Sequence, residues 1–185
     1  MVGNADRPHA LLKITVTSAA APLRMLARYT AWANEVLYQS LAELPESELL
    51  KKQSIVFGSM LRTLNHVYAM DLVWQAHLEG RAHGLVSRNP GICPPFTELR
   101  GAQSTLDDWY VRYADALTGT AAAEIVDFEF IGGGRGSMSR GDIIMHVINH
   151  TTYHRGHIGD MIYQIPAHPP TTDLPVYLRN AGRAP

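Results

Sequence analysis

A chain of 185 residues with 46% hydrophobic and 18% charged residues has the length and composition of one folded domain, which excludes an intrinsically disordered protein. The formal net charge of -1 provides no general attraction to nucleic acid or to an anionic membrane surface. No window approaches the roughly 18 consecutive apolar residues that a membrane span needs, and the lone Cys93 fits a reducing compartment. We therefore expect a cytoplasmic protein without a nucleic-acid or membrane partner.

The N-terminal part of the chain divides into a lead-in and the first of several helices. Residues 1–19 are predicted to be a loose lead-in segment, and the charged side chains within it argue against a signal peptide. Beyond this segment, apolar residues recur at helical spacing. The pattern predicts four long helices, at about residues 21–44, 58–78, 97–117 and 140–165.

A change of pattern precedes the last of these helices. The β-prone run at residues 125–131 and the glycines at 132–134 predict a small hairpin. Prolines at positions 166, 169, 170 and 175 predict that residues 167–185 form an extended tail. The fold class expected for residues 20–166 is all-α, a four-helix bundle with a small β-hairpin before the last helix.

Residues 146–157 read HVINHTTYHRGH and contain four of the nine histidines. On a helix these histidines share one side with apolar residues such as Val147 and Ile158, so the centre of the cluster should face the protein interior. Several buried imidazoles along one stripe are difficult to satisfy by hydrogen bonds alone, and a divalent metal ion would satisfy them. His150 and His154 lie one helical turn apart, which allows both to bind one ion.

A mononuclear site needs a third ligand, and no HExxH or Glu-x-x-His pattern provides one. His66 lies in the middle of the second predicted helix among apolar neighbours. Alone, it would be interpreted as a hydrogen-bonded core histidine. Opposite a second histidine stripe, it becomes the preferred third ligand. Three protein ligands, His66, His150 and His154, leave an open coordination position, as catalytic metal sites do.

Three stretches of the chain together resemble the DinB/YfiT-like metalloenzyme family. They are YTAWAN at residues 29–34, LNHVYAMDLVW at residues 64–74, and HVINHTTYHRGH at residues 146–157. The resemblance implies an up-down-down-up four-helix bundle, a homodimer, and a metal bound by residues matching His66, His150 and His154. Characterised relatives imply a thiol-dependent transferase or isomerase that uses a low-molecular-weight thiol and a small-molecule substrate.

The chain departs from the family pattern at His157, where relatives commonly have glutamine. This residue could donate a hydrogen bond beside the ligands, act as an extra ligand, carry a proton, or simply be a polar replacement. His146 is expected to pack or hydrogen-bond beside the ligands rather than to bind the metal.

Two functions are compatible with these residues. In the first, a zinc, nickel or iron ion activates a thiol or water in an enzyme, with Tyr153 and His157 as candidates for proton transfer. In the second, the ion stabilises a non-catalytic bundle that acts in binding or in a stress response. The fourth coordination position distinguishes them, because an exchangeable water indicates an enzyme and a fourth protein ligand indicates a structural site.

Overall fold

The computed structural model describes residues 20–181, which form a mostly helical fold with a small antiparallel sheet. The predicted lead-in, residues 1–19, lies outside the described residues. In chain order the elements are α1 (Ala20–Ala42), α2 (Glu46–Leu50), α3 (Met60–Leu78), α4 (Phe96–Ala116), α5 (Gly119–Ala122), β1 (Ile125–Glu129), β2 (Arg135–Ser139), α6 (Arg140–Ile162) and α7 (Leu174–Asn180). The four long helices α1, α3, α4 and α6 correspond to the four that periodicity predicts.

The two helices that carry the histidines begin at serine caps. Ser59 precedes α3 and its hydroxyl accepts a hydrogen bond from the Arg62 amide, 3.2 Å away. Ser139 precedes α6, and its hydroxyl accepts a hydrogen bond from the Asp142 amide at 3.1 Å. Each cap satisfies a backbone donor that the first helical turn leaves unpaired, so the start of each helix is well defined.

The four long helices pack in a closed arrangement in which each contacts two others. Helix α1 packs against α4 and α6, and α3 packs against the same two helices. No helix among the described residues 20–181 is long and apolar enough to cross a membrane. The interior enclosed by these helices is not uniformly apolar.

Two apolar clusters occupy opposite ends of the interior. One contains Leu23, Trp74, Leu106 and Ile144, and the other contains Leu37, Leu64, Leu99 and Ile158. Five polar residues, which we call the polar layer, lie along the helices in the region between the clusters and are buried: Asn34, Asp71, Gln103, Asp107 and Arg155. The candidate histidines lie in the same central region of α3 and α6.

The predicted extended tail is wrong for the residues of α7. Leu174–Asn180 is helical and packs against α1, with the buried Tyr177 ring 5.9 Å from the ring of Tyr29. Pro175 lies in the first turn, where a proline costs no helical hydrogen bond because the missing N–H has no partner there. The proline therefore starts this helix rather than preventing it.

Candidate metal centre

Three histidines from two helices converge at the centre of the molecule. His66 comes from α3, and His150 and His154 come from successive turns of α6. One nitrogen from each ring lies within 4.8 Å of those from the other two. The structure thus brings together the three histidines selected from the sequence, in an arrangement compatible with binding one metal ion.

A backbone contact fixes the orientation of His66. Its Nδ1 lies 2.7 Å from the carbonyl oxygen of Arg88, so Nδ1 carries the proton and donates it to that oxygen. Nε2 then presents a lone pair and lies 3.1 Å from Nε2 of His150. Nδ1 of His150 and of His154 is buried without a hydrogen-bond partner. Hydrogen bonds therefore leave one ring nitrogen of His150 and one of His154 unsatisfied, and the set of three imidazoles is a donor set that suits a shared metal ion.

The three imidazoles are held in the neutral form. Burial, with a smaller contribution from the neighbouring histidines, lowers the pKa of His150 to about 3 and that of His154 to about 4. Burial also lowers the pKa of His66, against the opposing effect of its hydrogen bond to the Arg88 carbonyl. Neutral imidazole is the form that binds metal ions, so at neutral pH few protons compete for these nitrogens.

An aromatic side chain covers one side of the cluster. Phe57, in the segment between α2 and α3, stacks on His66 with 4.0 Å between ring centroids and lies 5.5 Å from His154. The adjacent Gly58 has a φ of 80°, a left-handed conformation that favours glycine and shapes the turn carrying Phe57. Sequence periodicity did not identify Phe57, because it precedes the helix.

A cavity of about 470 Å³ opens beside the histidines. His66 and His150 line part of it. We call it the apolar chamber, because most of its lining residues are apolar: Val56, Phe57, Met70, Val73, Trp74, Phe128, Phe130 and Ile131. The two candidate ligands are therefore accessible from a cavity large enough for a small molecule.

The sequence profile of the DinB family matches residues 17–184, nearly the whole chain. This chain belongs to the DinB family. It is 26% identical over 160 residues to Protein DinB of Bacillus subtilis (strain 168), an alignment that covers 83% of this chain and 91% of that protein. The crystal structure of a DinB-like protein from Bacillus cereus ATCC 10987 has a similar fold, with a TM-score of 0.60 at 18% identity, covering 79% of this chain and 94% of that one.

The other two histidines of this DinB-family helix lie outside the converging group. The ring of His146 packs edge-on against Trp74, with 4.7 Å between centroids, and forms part of the chamber wall. Burial lowers its pKa. The ring of His157 lies 5.1 Å from that of His154, and its Nδ1 is buried without a hydrogen-bond partner. Its placement gives no sign of a fourth ligand.

Tyr153, the second candidate for proton transfer, lies on the surface. Its side chain is 62% exposed, and its ring lies 5.0 Å from that of His154 and 4.3 Å from that of His157. Neither Tyr153 nor His157 lines the apolar chamber. Both candidates are therefore close to the three converging histidines but outside the wall of the cavity.

Arg155 directly follows His154 and connects α6 to the other residues of the polar layer. Its guanidinium donates to the side-chain oxygen of Asn34 at 3.1 Å. The amide of Asn34 donates to both carboxylate oxygens of Asp107, at 3.1 and 3.0 Å. Gln103 donates one amide hydrogen to Asp71 at 3.0 Å and the other to Asp107 at 2.9 Å. This network fixes the helix that presents His150 and His154.

Proposed function

We propose that this DinB-family protein is a metal-dependent enzyme in which His66, His150 and His154 hold one divalent ion. The supporting observation is the convergence of three neutral imidazoles, two of which, those of His66 and His150, line a cavity. Zinc and nickel are the preferred ions and iron is a further candidate, because imidazole suits all three. With three protein ligands, a coordination position remains for water or substrate.

The proposed chemistry is activation of water or of a low-molecular-weight thiol, in a transferase or isomerase reaction on a small molecule. A bound divalent ion would supply the positive charge that lowers the pKa of such a nucleophile. The protein's own contribution is positional. The Arg88 carbonyl orients His66, and Phe57 shields it from water on one side. Tyr153 and His157 are the candidates for proton transfer at the edge of the site.

The resemblance to the family supports two further proposals about the whole molecule. We propose that α1, α3, α4 and α6 form an up-down-down-up bundle and that two chains form a homodimer. Light scattering of the purified protein tests the second proposal directly, since it distinguishes the mass of one chain from that of two.

A non-catalytic role is the second candidate function. It is favoured by the position of the histidines on two different helices, α3 and α6, because an ion shared between them would cross-link the fold and stabilise it. An exchangeable water on the bound metal, detected by relaxation of solvent protons with a paramagnetic ion, would favour the enzyme. Its absence would favour the structural role.

Elemental analysis of the purified protein tests the proposed metal site. His150→Ala and His154→Ala should each lose most of the metal that the wild-type protein carries. His146→Ala is the matched control on the same helix and should keep it, because His146 lies outside the converging group. Equal metal content in all four proteins would refute the site, provided that circular dichroism shows each variant to be folded.

A screen of low-molecular-weight thiols against electrophilic substrates tests the activity. We expect turnover that requires both the thiol and the metal, and that is lost in His150→Ala. Turnover that survives a chelator would remove the metal from the mechanism.

A further inference from the structure

The accessible wall of the apolar chamber is mainly apolar, and its polar lining residues are His66, His77, His146 and His150 together with Arg88 and Glu129. Phe57, Trp74, Phe128 and Phe130 provide aromatic surfaces, and Met70 and Val73 add aliphatic ones. Its two formally charged members, Arg88 and Glu129, are exposed to solvent and lie at the edge rather than in the interior. A sugar or nucleotide placed against the aromatic and aliphatic wall would lose more hydrogen bonds to water than these few groups could replace, which costs free energy.

Apolar side chains also remain exposed around the opening of the chamber. Val56 is 70% exposed and Phe130 is 49% exposed, and they come from two separate segments, the loop before α3 and the end of the hairpin. Exposed apolar groups from different segments that meet at one cavity mark a binding site for an apolar ligand. Such a ligand would cover both side chains on entry.

Phe128 separates the chamber from a more polar cavity of about 640 Å³ on the other side of the hairpin. That outer cavity is lined by Arg81, His83, Asp127 and Arg135, none of which lines the chamber. The buried ring of Phe128 packs edge-on against Trp74, with 4.9 Å between centroids. His77 and Glu129 line both cavities, whereas the four polar residues named above line the outer cavity alone.

From this distribution we propose that the substrate has an uncharged aromatic or bulky aliphatic body and one polar group that reaches the histidines. The body occupies the apolar chamber, and the polar group lies beside His66 and His150, which form part of the same wall. This inference rests on the proposed metal site for the role of the polar group. The selection of the body depends only on the chamber.

Hydroxamates with one common metal-binding head and different tails test whether the chamber prefers an apolar substrate body. Metal-loaded protein is titrated with acetohydroxamate, 3-phenylpropionohydroxamate and gluconohydroxamate. The phenyl tail should improve affinity about tenfold or more over the acetyl compound, because it is transferred from water to apolar walls. The hydroxylated tail should give no improvement. Equal affinities for the phenyl and acetyl compounds, or tighter binding of the hydroxylated one, would overturn the proposal.

Tryptophan substitutions at two methionine positions test whether the phenyl tail binds in the chamber. Met70→Trp fills part of the chamber and should remove the advantage of the phenyl tail while leaving metal content unchanged. Met145→Trp makes the same change at a 45% exposed position of α6 outside the chamber, and should leave the advantage intact. An advantage that persists in Met70→Trp places the tail elsewhere and rejects the chamber as its site.

A metal-free measurement separates this inference from the proposed function. The uncharged fluorophore N-phenyl-1-naphthylamine should bind the apo protein and become brighter, and Met70→Trp but not Met145→Trp should abolish the increase. Binding with this pattern in a protein that never retains metal would support the chamber while refuting the metal site. No binding to the apo protein, or equal binding by both variants, would refute the chamber.

Discussion

The four histidines of α6 recur at helical spacing, but their surroundings differ, and the surroundings determine what each ring can do. His150 and His154 point their nitrogens towards His66, whereas His146 packs its ring against Trp74. His157 contacts Tyr153 and His154 and has no place in the converging group. A repeat of imidazoles along one helix face therefore does not imply that every member is a ligand.

His157→Gln tests this distinction at the position where the chain departs from the family's usual glutamine. We expect the variant to keep the metal content of the wild-type protein, because His157 does not belong to the three histidines whose nitrogens lie within 4.8 Å. Elemental analysis is the measurement, and His150→Gln, the same change about two helical turns earlier, is the matched control that should lose metal. A parallel loss in His157→Gln would make His157 a ligand.

The proximity of the three histidines could be predicted because each lies on a helix with a clear apolar face. Helical spacing placed His150 and His154 on the interior side of α6, and His66 occupies an equivalent interior position of α3. The orientation of His66 could not be predicted. It depends on the carbonyl of Arg88, 22 residues away in a loop, and loop backbone positions have no sequence periodicity.

One cross-strand pair allows the hairpin of β1 and β2 to form part of the chamber wall. Phe128 lies opposite Gly136 in the antiparallel register, and its ring covers the glycine. A Cβ at Gly136 would lie only 2.7 Å from the ring atom Cζ of Phe128. The absence of a side chain therefore lets the Phe128 ring fold across the strand and reach Trp74.

Gly136→Ala should destabilise the protein by about 1–3 kcal/mol, because the added methyl group must displace a ring that is already packed against Trp74. Urea unfolding followed by circular dichroism measures the change. Gly101→Ala is the control, since the space around Gly101 in α4 is open and alanine favours a helix, so it should be neutral or stabilising. A Gly136→Ala protein as stable as the wild type would show that the ring relocates freely.

Among the elements, the four long helices and the small hairpin were predictable, and the short helix α7 was not. The apolar residues of the long helices recur over five turns or more, so a helix is recognised even where its first and last residues are not. Helix α7 has only 7 residues and contains a proline, so the local signal favours an extended chain. Its helix is stabilised by tertiary contacts of Tyr177 with Tyr29 and Trp32. Those contacts link residues more than 140 positions apart, which periodicity does not reveal.

Across the whole molecule, the polar layer joins all four long helices. Asn34 comes from α1, Asp71 from α3, Gln103 and Asp107 from α4, and Arg155 from α6. A buried polar network of this kind requires a specific alignment of helices, because a shifted helix would leave carboxylates or a guanidinium without partners. The network thus has a physical link to the three converging histidines, since Arg155 directly follows His154 in α6.

The apolar chamber and the polar layer both lay beyond sequence analysis. The chamber is assembled from a loop, α3, the hairpin and α6, and its walls become adjacent only when these segments pack. Asn34 and Asp71 did interrupt otherwise apolar helix faces, which was a signal of a buried polar contact. Their partners could not be selected among the many polar residues of the other helices.

The carboxyl group of Asp107 makes the stability of this layer depend on pH. Burial raises its pKa from 3.8 to about 7, although hydrogen bonds from Asn34 and Gln103 favour the charged form. Between these two values the folded protein retains a proton that the unfolded chain has released. The contribution of Asp107 to the free energy of unfolding therefore falls as pH rises from about 4 to about 7, and is level above that range.

Asp107→Asn removes this titration and should remove its pH dependence. We expect the free energy of unfolding of the wild type minus that of the variant to fall by roughly 2–3 kcal/mol between pH 5 and pH 7.5. Urea unfolding at several pH values measures it, and taking the difference cancels the contributions of groups that the two proteins share. A constant difference for Asp107→Asn would mean that the folded protein ionises Asp107 as readily as the unfolded chain does, and that Arg155 and the two amides fully offset its burial.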